Sequence, residues 1–486
     1  MSARLASRLT LVAAAAGLAS CAVGPNYHRP PLPPAASYGG EQALSGEAAP
    51  TSGPQLIPGG EVGADWWRVF GSDDLDALVD RALKNSPTVD AAKAALRSAA
   101  EQVKAQRGAY YPSVEASIAP SRQGFAETLA SPTASGISLY TLTTTQVSVS
   151  YTPDLFGANR RAVESLVAQQ DAQRFELEAA RITLASNVAT AAIQDASLRA
   201  QIEATDKIIA NQRAVMASFE RQFQLGQASK ADLAAQQALL AQSEATRPPL
   251  VKAYEVNRDL LAALLGQTPG EPLDDRFDLA SMKLPESLPL SVPARLVDQR
   301  PDVRIAEAQL HSAGAEVGVA EAARLPNLQI TGAAGSATLG LGVSLSPQAT
   351  FWNIAATLTQ PIFEGGTLLH RQRAAEATYD QAAAQYRATV VGAFQNTADV
   401  LHALSTDADA ATAAQKAQDA ADRSLDIARR QLALGDISRL AMLSAEQADA
   451  QAKIASVQAE ANRYSDVVAL FVALGGGWWN KSATTP

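Results

Sequence analysis

From Ala158 to Leu225 the chain runs without a Gly or a Pro, and its apolar residues recur at four- and three-residue steps: Leu184, Val188, Ala191, Leu198, Ile202, Ile209, Met216, Phe219 and Phe223. That spacing is a coiled-coil seam and predicts one α-helix that, fully formed, reaches on the order of 100 Å. Asp195, Thr205 and Gln212 take seam positions and weaken it. Gly226 predicts the helix C-cap. Ser229, with Asp232 three positions on, predicts the capping box of a return helix. The chain therefore doubles back at 226–230. The return helix is expected to run to Leu265-Gly266, with a break or kink at Pro248-Pro249, where two backbone N–H groups are missing.

Before this hairpin the period changes. Asp73 or Asp74 is expected to cap a short helix through Leu83. Pro87 opens another helix, which Pro112 ends. Alternation follows. Val114, Ala116 and Ile118 face one way, Glu115 and Ser117 the other. Beyond a polar loop holding Pro132 and Gly136, Val147, Val149 and Tyr151 alternate with Ser148, Ser150 and Thr152. These are two half-apolar strands, each about as long as the ~9–11 residues that a tilted strand needs to cross a bilayer core.

The same order then recurs. Leu96, Ser98, Val103 and Pro112 are matched by Leu310, Ser312, Val317 and Pro326 at one constant offset. Gly226, Ser229 and Leu265-Gly266 are matched by Gly435, Ser438 and Leu474-Gly475 at a slightly shorter one. Repeated punctuation of this kind marks a duplication. The expected segments are 1–20, 21–64, a first repeat over 65–266 (strands near 113–125 and 143–153, long hairpin 158–265), a connector over 267–293, a second repeat over 294–477 (strands near 327–341 and 350–361, long hairpin 367–474) and a tail, 478–486. The second long helix is interrupted only by Gly392.

Composition narrows the classes. Net charge is −9, so no basic excess meets nucleic acid. The single cysteine, Cys21, excludes an intrachain disulfide. Arg4 and Arg8 precede an apolar run from Leu9 to Leu18, a secretory signal too short for a membrane span. The run ends in Leu18-Ala19-Ser20-Cys21, which resembles a bacterial lipoprotein signal. That resemblance implies cleavage before Cys21, a diacylglycerol on its sulfur and an acyl chain on the new amine. Ordinary signal cleavage beside an incidental cysteine is the alternative. Residues 21–64 are rich in Pro, Gly, Ala and Ser and read as an extended tether, with order starting at Asp65-Trp66-Trp67.

Four membrane-length strands need a closed sheet, because the bilayer core offers no water to unpaired backbone groups. Familiar outer-membrane barrels start at about eight strands, so other copies must complete the sheet, two or three in all. The long hairpins then join the same ring. On the strands, Glu115, Ser117, Ser148, Ser150, Gln329, Thr331 and Thr357 would face water and the apolar rows lipid.

The chain resembles the outer-membrane efflux proteins of the TolC/OprM type, especially their lipoprotein branch. The residues that carry the likeness are Cys21 to Tyr27, Trp66-Trp67 followed by Leu75 to Leu83, Asp154-Leu155-Phe156-Gly157, Gln360 to Gly366, Gln431 to Gly435, and Ala473 to Trp478. The resemblance implies a membrane α+β fold: a homotrimeric outer-membrane β-barrel with four strands per chain and twelve in total. A long periplasmic α-helical coiled-coil barrel continues it, with an equatorial domain. It implies an outer-membrane location with most of the mass in the periplasm. It also implies docking to a periplasmic adaptor protein and an inner-membrane pump of the RND type, and export of drugs or other toxic small molecules. The turns at Leu225, Gly226 and Ser229 and at Leu434, Gly435 and Ser438 would be the adaptor surface. The gate would lie at the same tips, with Asp232 opposite Arg439 and Asp436 alongside. Ala441 stands at the second-half position matching Asp232, and Asp232 also reads simply as a capping-box acid.

No catalytic constellation or metal-ligand spacing appears, and no cofactor is expected beyond the acyl groups on Cys21. His28, His311, His370 and His402 are scattered, with His311 expected at a surface or interface. Gly475-Gly476-Gly477 is followed by no Lys-Thr or Lys-Ser, so it reads as a helix terminus rather than a phosphate loop. Two other readings remain: the duct of a type I protein-secretion system, and a periplasmic coiled-coil scaffold that does not perforate the membrane.

Overall fold

The computed structural model describes residues 22–31, 55–124, 139–271, 277–291, 293–343 and 346–480. Cys21 and the polar loop with Pro132 and Gly136 lie outside them. In chain order the elements are β1 (Gln55–Pro58), α1 (Asp73–Asn85), α2 (Pro87–Arg107), β2 (Ser113–Gly124), β3 (Leu139–Tyr151), α3 (Ala158–Gln224), α4 (Lys230–Leu264), β4 (Ser287–Leu290), α5 (Pro293–Gln299), α6 (Pro301–Ala322), β5 (Asn327–Leu339), β6 (Thr350–Thr359), α7 (Thr367–Leu434) and α8 (Arg439–Ala473). The run from α6 to α8 restates the run from α2 to α4. Helices α3 and α7 have 67 and 68 residues, and α4 and α8 have 35 each. No helix among the described residues is long and apolar enough to cross a membrane.

The described residues fall into two compact units. One takes its residues from 1–30, 95–173 and 306–386, the other from 31–94, 174–305 and 387–486. The first unit is built on a four-stranded antiparallel sheet in the order β2-β3-β5-β6. Strand β3 begins at Leu139, earlier than the alternation suggested, because Leu139 to Leu142 continue the ladder opposite Ser121 to Gly124. Strand β6 stops at Thr359, short of the expected 361. Pro361 has no N–H to donate to a ladder.

The second unit corrects several expectations. Ser72, not Asp73 or Asp74, caps α1: its hydroxyl accepts the Leu75 N–H at 3.4 Å. The aspartates fill the first turn instead, where they suit the helix dipole. The stretch 21–64 is not wholly a tether. Strand β1 pairs in parallel with β4 of the connector, and Val62 is fully buried. Residues 478–480, the described part of the tail, are also held. The Trp478 indole donates to the Gln299 carbonyl at 2.7 Å, and the Asn480 amide to the Val62 carbonyl at 2.8 Å. Trp66 stacks on Phe471 with ring centroids 5.5 Å apart. These contacts join stretches far apart in the sequence within the second unit.

Helix α4 is unbroken at Pro248-Pro249. Most residues around the pair are exposed, so the carbonyls that lose their partners remain open to water. Helix α7 likewise continues through Gly392. The polar seam residues of α3 are buried: Asp195 wholly, with Thr205 and Gln212 close to it. Asp195 lies 3.7 Å from Arg258 of α4, and Gln212 donates to Gln447 of α8 at 2.5 Å. Burial pushes the Asp195 carboxyl up, and Arg258 opposes the shift. Removing one partner of a buried pair leaves the other charge without compensation, so Arg258→Ala is expected to lower stability by roughly 3 kcal/mol. Replacing both with Leu should recover most of the loss. Denaturant unfolding of the detergent-purified protein checks both outcomes.

Candidate functional site

Two regions carry the chemistry of interest, the sheet and the hairpin tips. Within the sheet, paired residues share a face, and so do alternate residues of one strand. Glu115 pairs with Ser148, Ser117 with Gln146, Ser150 with Thr331, and Gln329 with Thr357. The seven polar strand residues named from the sequence therefore all lie on one face. The Gln329 amide donates to the Ser150 hydroxyl at 3.4 Å across that face. The other face carries Val114 paired with Val149, Ala116 with Val147, Tyr151 with Ile330, and Leu328 with Leu358. Trp352 and Ile354 on this apolar face are 76% and 75% exposed.

At the first tip, Gly226 adopts φ 73°, which a side chain would strain. The Gly226 N–H reaches the Phe223 carbonyl at 3.0 Å and the Gln227 N–H reaches that of Gln222 at 2.8 Å. This is a Schellman motif. The second tip repeats it. Gly435 has φ 83°, its N–H bonds to the Leu432 carbonyl at 3.1 Å, and the Asp436 N–H bonds to that of Gln431 at 2.9 Å. Leu225 and Leu434, just before the glycines, are 72% and 76% exposed.

The capping box forms at the first tip only. The Ser229 hydroxyl accepts the Asp232 N–H at 3.1 Å, and the Asp232 carboxylate accepts the Ser229 N–H at 3.0 Å and its hydroxyl at 2.7 Å. Those bonds hold the Asp232 carboxyl below its ordinary range. Ser438 accepts the Ala441 N–H at 3.2 Å, and Ala441 has no carboxylate to return the bond. Arg439 is the first residue of α8. Among the described residues of one chain, no ion pair links Asp232 or Asp436 to it; the bonds of Asp232 go to Ser229.

A third feature was not singled out from the sequence. Helices α7 and α8 bring Asp407 against Asp466, and Asp422 against Asp449. A bond from the Ser456 hydroxyl to Gln415, at 3.2 Å, lies between the two pairs. Asp466 Oδ2 and Asp449 Oδ1 are buried and receive no hydrogen bond from another donor group. Two facing carboxyls of this kind favour sharing a proton. Burial, then the Asp407 carboxyl, pushes Asp466 up to about 7. Burial and Asp422 push Asp449 up, against Lys453 and Arg429. Counting outward from the Gly435 turn along both helices would have found these pairs, because antiparallel helices fix which residues face.

His311 is also more than a surface residue. Its ring stacks on Tyr27 at 4.2 Å, and its Nε2 lies 2.9 Å from Glu164. Burial raises the Glu164 carboxyl, but bonds from His311 and Arg161 outweigh it and hold the group low.

Two halves of alternating strands, each joined to a long capped hairpin, match a known pattern. A family model described as outer membrane efflux protein covers residues 78–267 and 292–476. The chain belongs to the outer membrane efflux protein family. It is similar to the pyoverdine export outer membrane protein OpmQ of Pseudomonas putida, with 28% identity over 428 residues, 86% of this chain and 89% of that one. It is similar to outer membrane protein OprJ of Pseudomonas aeruginosa, with 27% identity over 465 residues, 95% of this chain and 94% of that one. Among solved structures it resembles the outer-membrane channel OprN, with a TM-score of 0.81 and 25% identity, covering 94% of this chain and 100% of that one. The CmeC outer membrane channel of Campylobacter jejuni gives a TM-score of 0.83 at 23% identity, covering 96% of this chain and 97% of that one. Members of the efflux family are transport proteins of the outer membrane.

For this family member the acid pairs carry a consequence for stability. The folded state favours the neutral form of Asp466, so its contribution is complete below the ordinary carboxylate range and is lost as pH rises toward 7. Thermal stability is expected to fall between about pH 4 and pH 7, and Asp466→Asn to flatten that slope and raise stability at the upper end. An unchanged slope in the variant would exclude the pair as its source.

Proposed function

We propose that this chain is the exit duct of a tripartite efflux pump, working as a homotrimer. The observation that carries the reading is the sheet. Among the described residues it is four strands wide, polar on one face and apolar on the other, and β2 and β6 each have a single neighbour. In a bilayer those edges need partners, and three copies close a twelve-stranded barrel with β2 of one copy beside β6 of the next. Glu115, Ser117, Ser148, Ser150, Gln329, Thr331 and Thr357 then line water, and the face of Trp352 and Ile354 meets lipid. Helices α3, α4, α7 and α8 of the three copies form the periplasmic cylinder, which holds most of the mass.

Cys21 carries the diacylglycerol and the amide-linked acyl chain, and anchors the protein in the outer membrane. No enzyme activity belongs to the chain. The exposed leucines at Leu225 and Leu434, with their glycine turns and Ser229 and Ser438, form the surface that a periplasmic adaptor grips. Energy comes from an inner-membrane pump of the RND type. Cargo is small molecules. Relatives at nearly the same identity are named for pyoverdine export and for toluene efflux, which supports a duct that passes whatever its pump delivers.

The gate lies at the tips, where Asp232, Asp436 and Arg439 of neighbouring copies approach. Exposed ion pairs contribute only ~0–1 kcal/mol each, so an adaptor could release several together. Planar-bilayer recording of the purified protein is expected to show steady ion conductance, and a preparation that passes no current would favour the scaffold. The double variant Asp232→Ala with Arg439→Ala is expected to conduct more than the parent. Equal conductance would remove both residues from the gate.

A further inference from the structure

A groove of about 670 Å³ lies in the first unit where strands meet helices, and its walls include Leu155, Phe156, Ala162, Ala323, Leu325 and Pro361. That volume is within the roughly 300–1,000 Å³ of small-molecule sites. Its lining is mostly aliphatic. Asn159, also on the wall, accepts a bond from Gln106 at 2.7 Å, while its own Nδ2 is buried without an acceptor. An apolar groove with a free amide donor suits a hydrocarbon chain joined through a carbonyl.

The described residues from Ala22 onward pass beside this groove. The Val23 N–H donates to the carbonyl of Phe156, a wall residue, at 3.1 Å. Ala22 lies against Gly157, where an added Cβ would come within 2.7 Å of the Ala22 Cβ. The segment is fixed by a clasp of side chains. Buried Arg161 donates to the carbonyls of Val23 and Gly24 at 3.0 and 3.1 Å, and to Asn26 at 2.9 Å. From α6, Glu307 accepts from Tyr27 at 3.0 Å and from Arg29 at 3.2 Å. Gly318 lets the segment pass close, since a Cβ there would meet the Val23 carbonyl at 2.9 Å. Ala22, the neighbour of Cys21 in the sequence, is therefore fixed beside Gly157 and Phe156.

We propose that this groove holds an acyl chain attached to Cys21. The clasp then positions the lipid against its own protein rather than leaving it on a free tether. The inference rests on the lipidated terminus proposed above. The segment's fixed direction and the single residue between Ala22 and the lipid favour this occupant over a phospholipid of the bilayer or a second copy.

The test uses the full chain in its native membrane. A photoreactive benzophenone residue replaces Leu325 or, independently, Ala109, which also lines the groove. Two positions guard against one of them impairing folding. After illumination, digestion and mass spectrometry are expected to find the acylated amino-terminal peptide joined through its lipid to the labelled peptide. The product should vanish with Cys21→Ser and be absent when the probe replaces the exposed Arg371. An acylated protein, shown by intact mass, whose probes capture only free phospholipid, only another copy or no lipid would overturn the groove assignment while keeping the lipid anchor. An unacylated intact mass would overturn both.

Discussion

Along the outer edges of β2 and β6, backbone N–H and C=O groups have no other strand to bond among the described residues. In water such edges are tolerable. In a bilayer core each unsatisfied group is costly, and a sheet with one apolar face belongs in that setting. The edge requirement and the apolar face therefore act together. In the proposed assembly, further copies meet the first and a common axis with polar residues inward meets the second. The hollow assembly proposed above follows from this need rather than from any special residue.

The helices show what a repeated, small-residue seam can and cannot do. Ala-rich surfaces let helices approach closely but bury little area each. Two polar residues taken into the seam lie against polar groups of other helices: Asp195 is 3.7 Å from Arg258, and Gln212 donates to Gln447. The Asp407–Asp466 and Asp422–Asp449 pairs are different, since carboxyl faces carboxyl and burial favours the neutral form of Asp466 and of Asp449. The second hairpin thus carries an acid-dependent contact that the first lacks. The positions matching Asp407 and Asp466 in the first half are Leu198 and Asn257, and Asn257 donates to the Ala191 carbonyl at 2.9 Å. Duplication kept the helices and their caps, while the contacts between them diverged. The tips show the same split: both have the glycine turn, and only the first has the full capping box.

What the sequence by itself determined is local. Helix, strand and turn follow from the 3.6- and 2-residue periods, from Gly226 and Gly435 where φ must be positive, and from the hydroxyls of Ser229 and Ser438. These signals act within a few residues, so the long helices and their turns were legible nearly to the residue, while the strand limits differed by up to four residues. The assignment of seven polar residues to one face was legible too, because alternation fixes the face within a strand. Tertiary structure decided everything that joins distant stretches. It placed β3 beside β5, paired β1 with β4, and brought Trp66, Phe471 and Trp478 into one unit. It set Asp407 against Asp466 and fastened Tyr27 to Glu307 and His311. Such contacts depend on which surfaces meet after the chain has turned back several times. A tether and a scattered histidine, read locally, gave no sign of the clasp they form, because the partners that hold residues 22–29 come from stretches far along the chain.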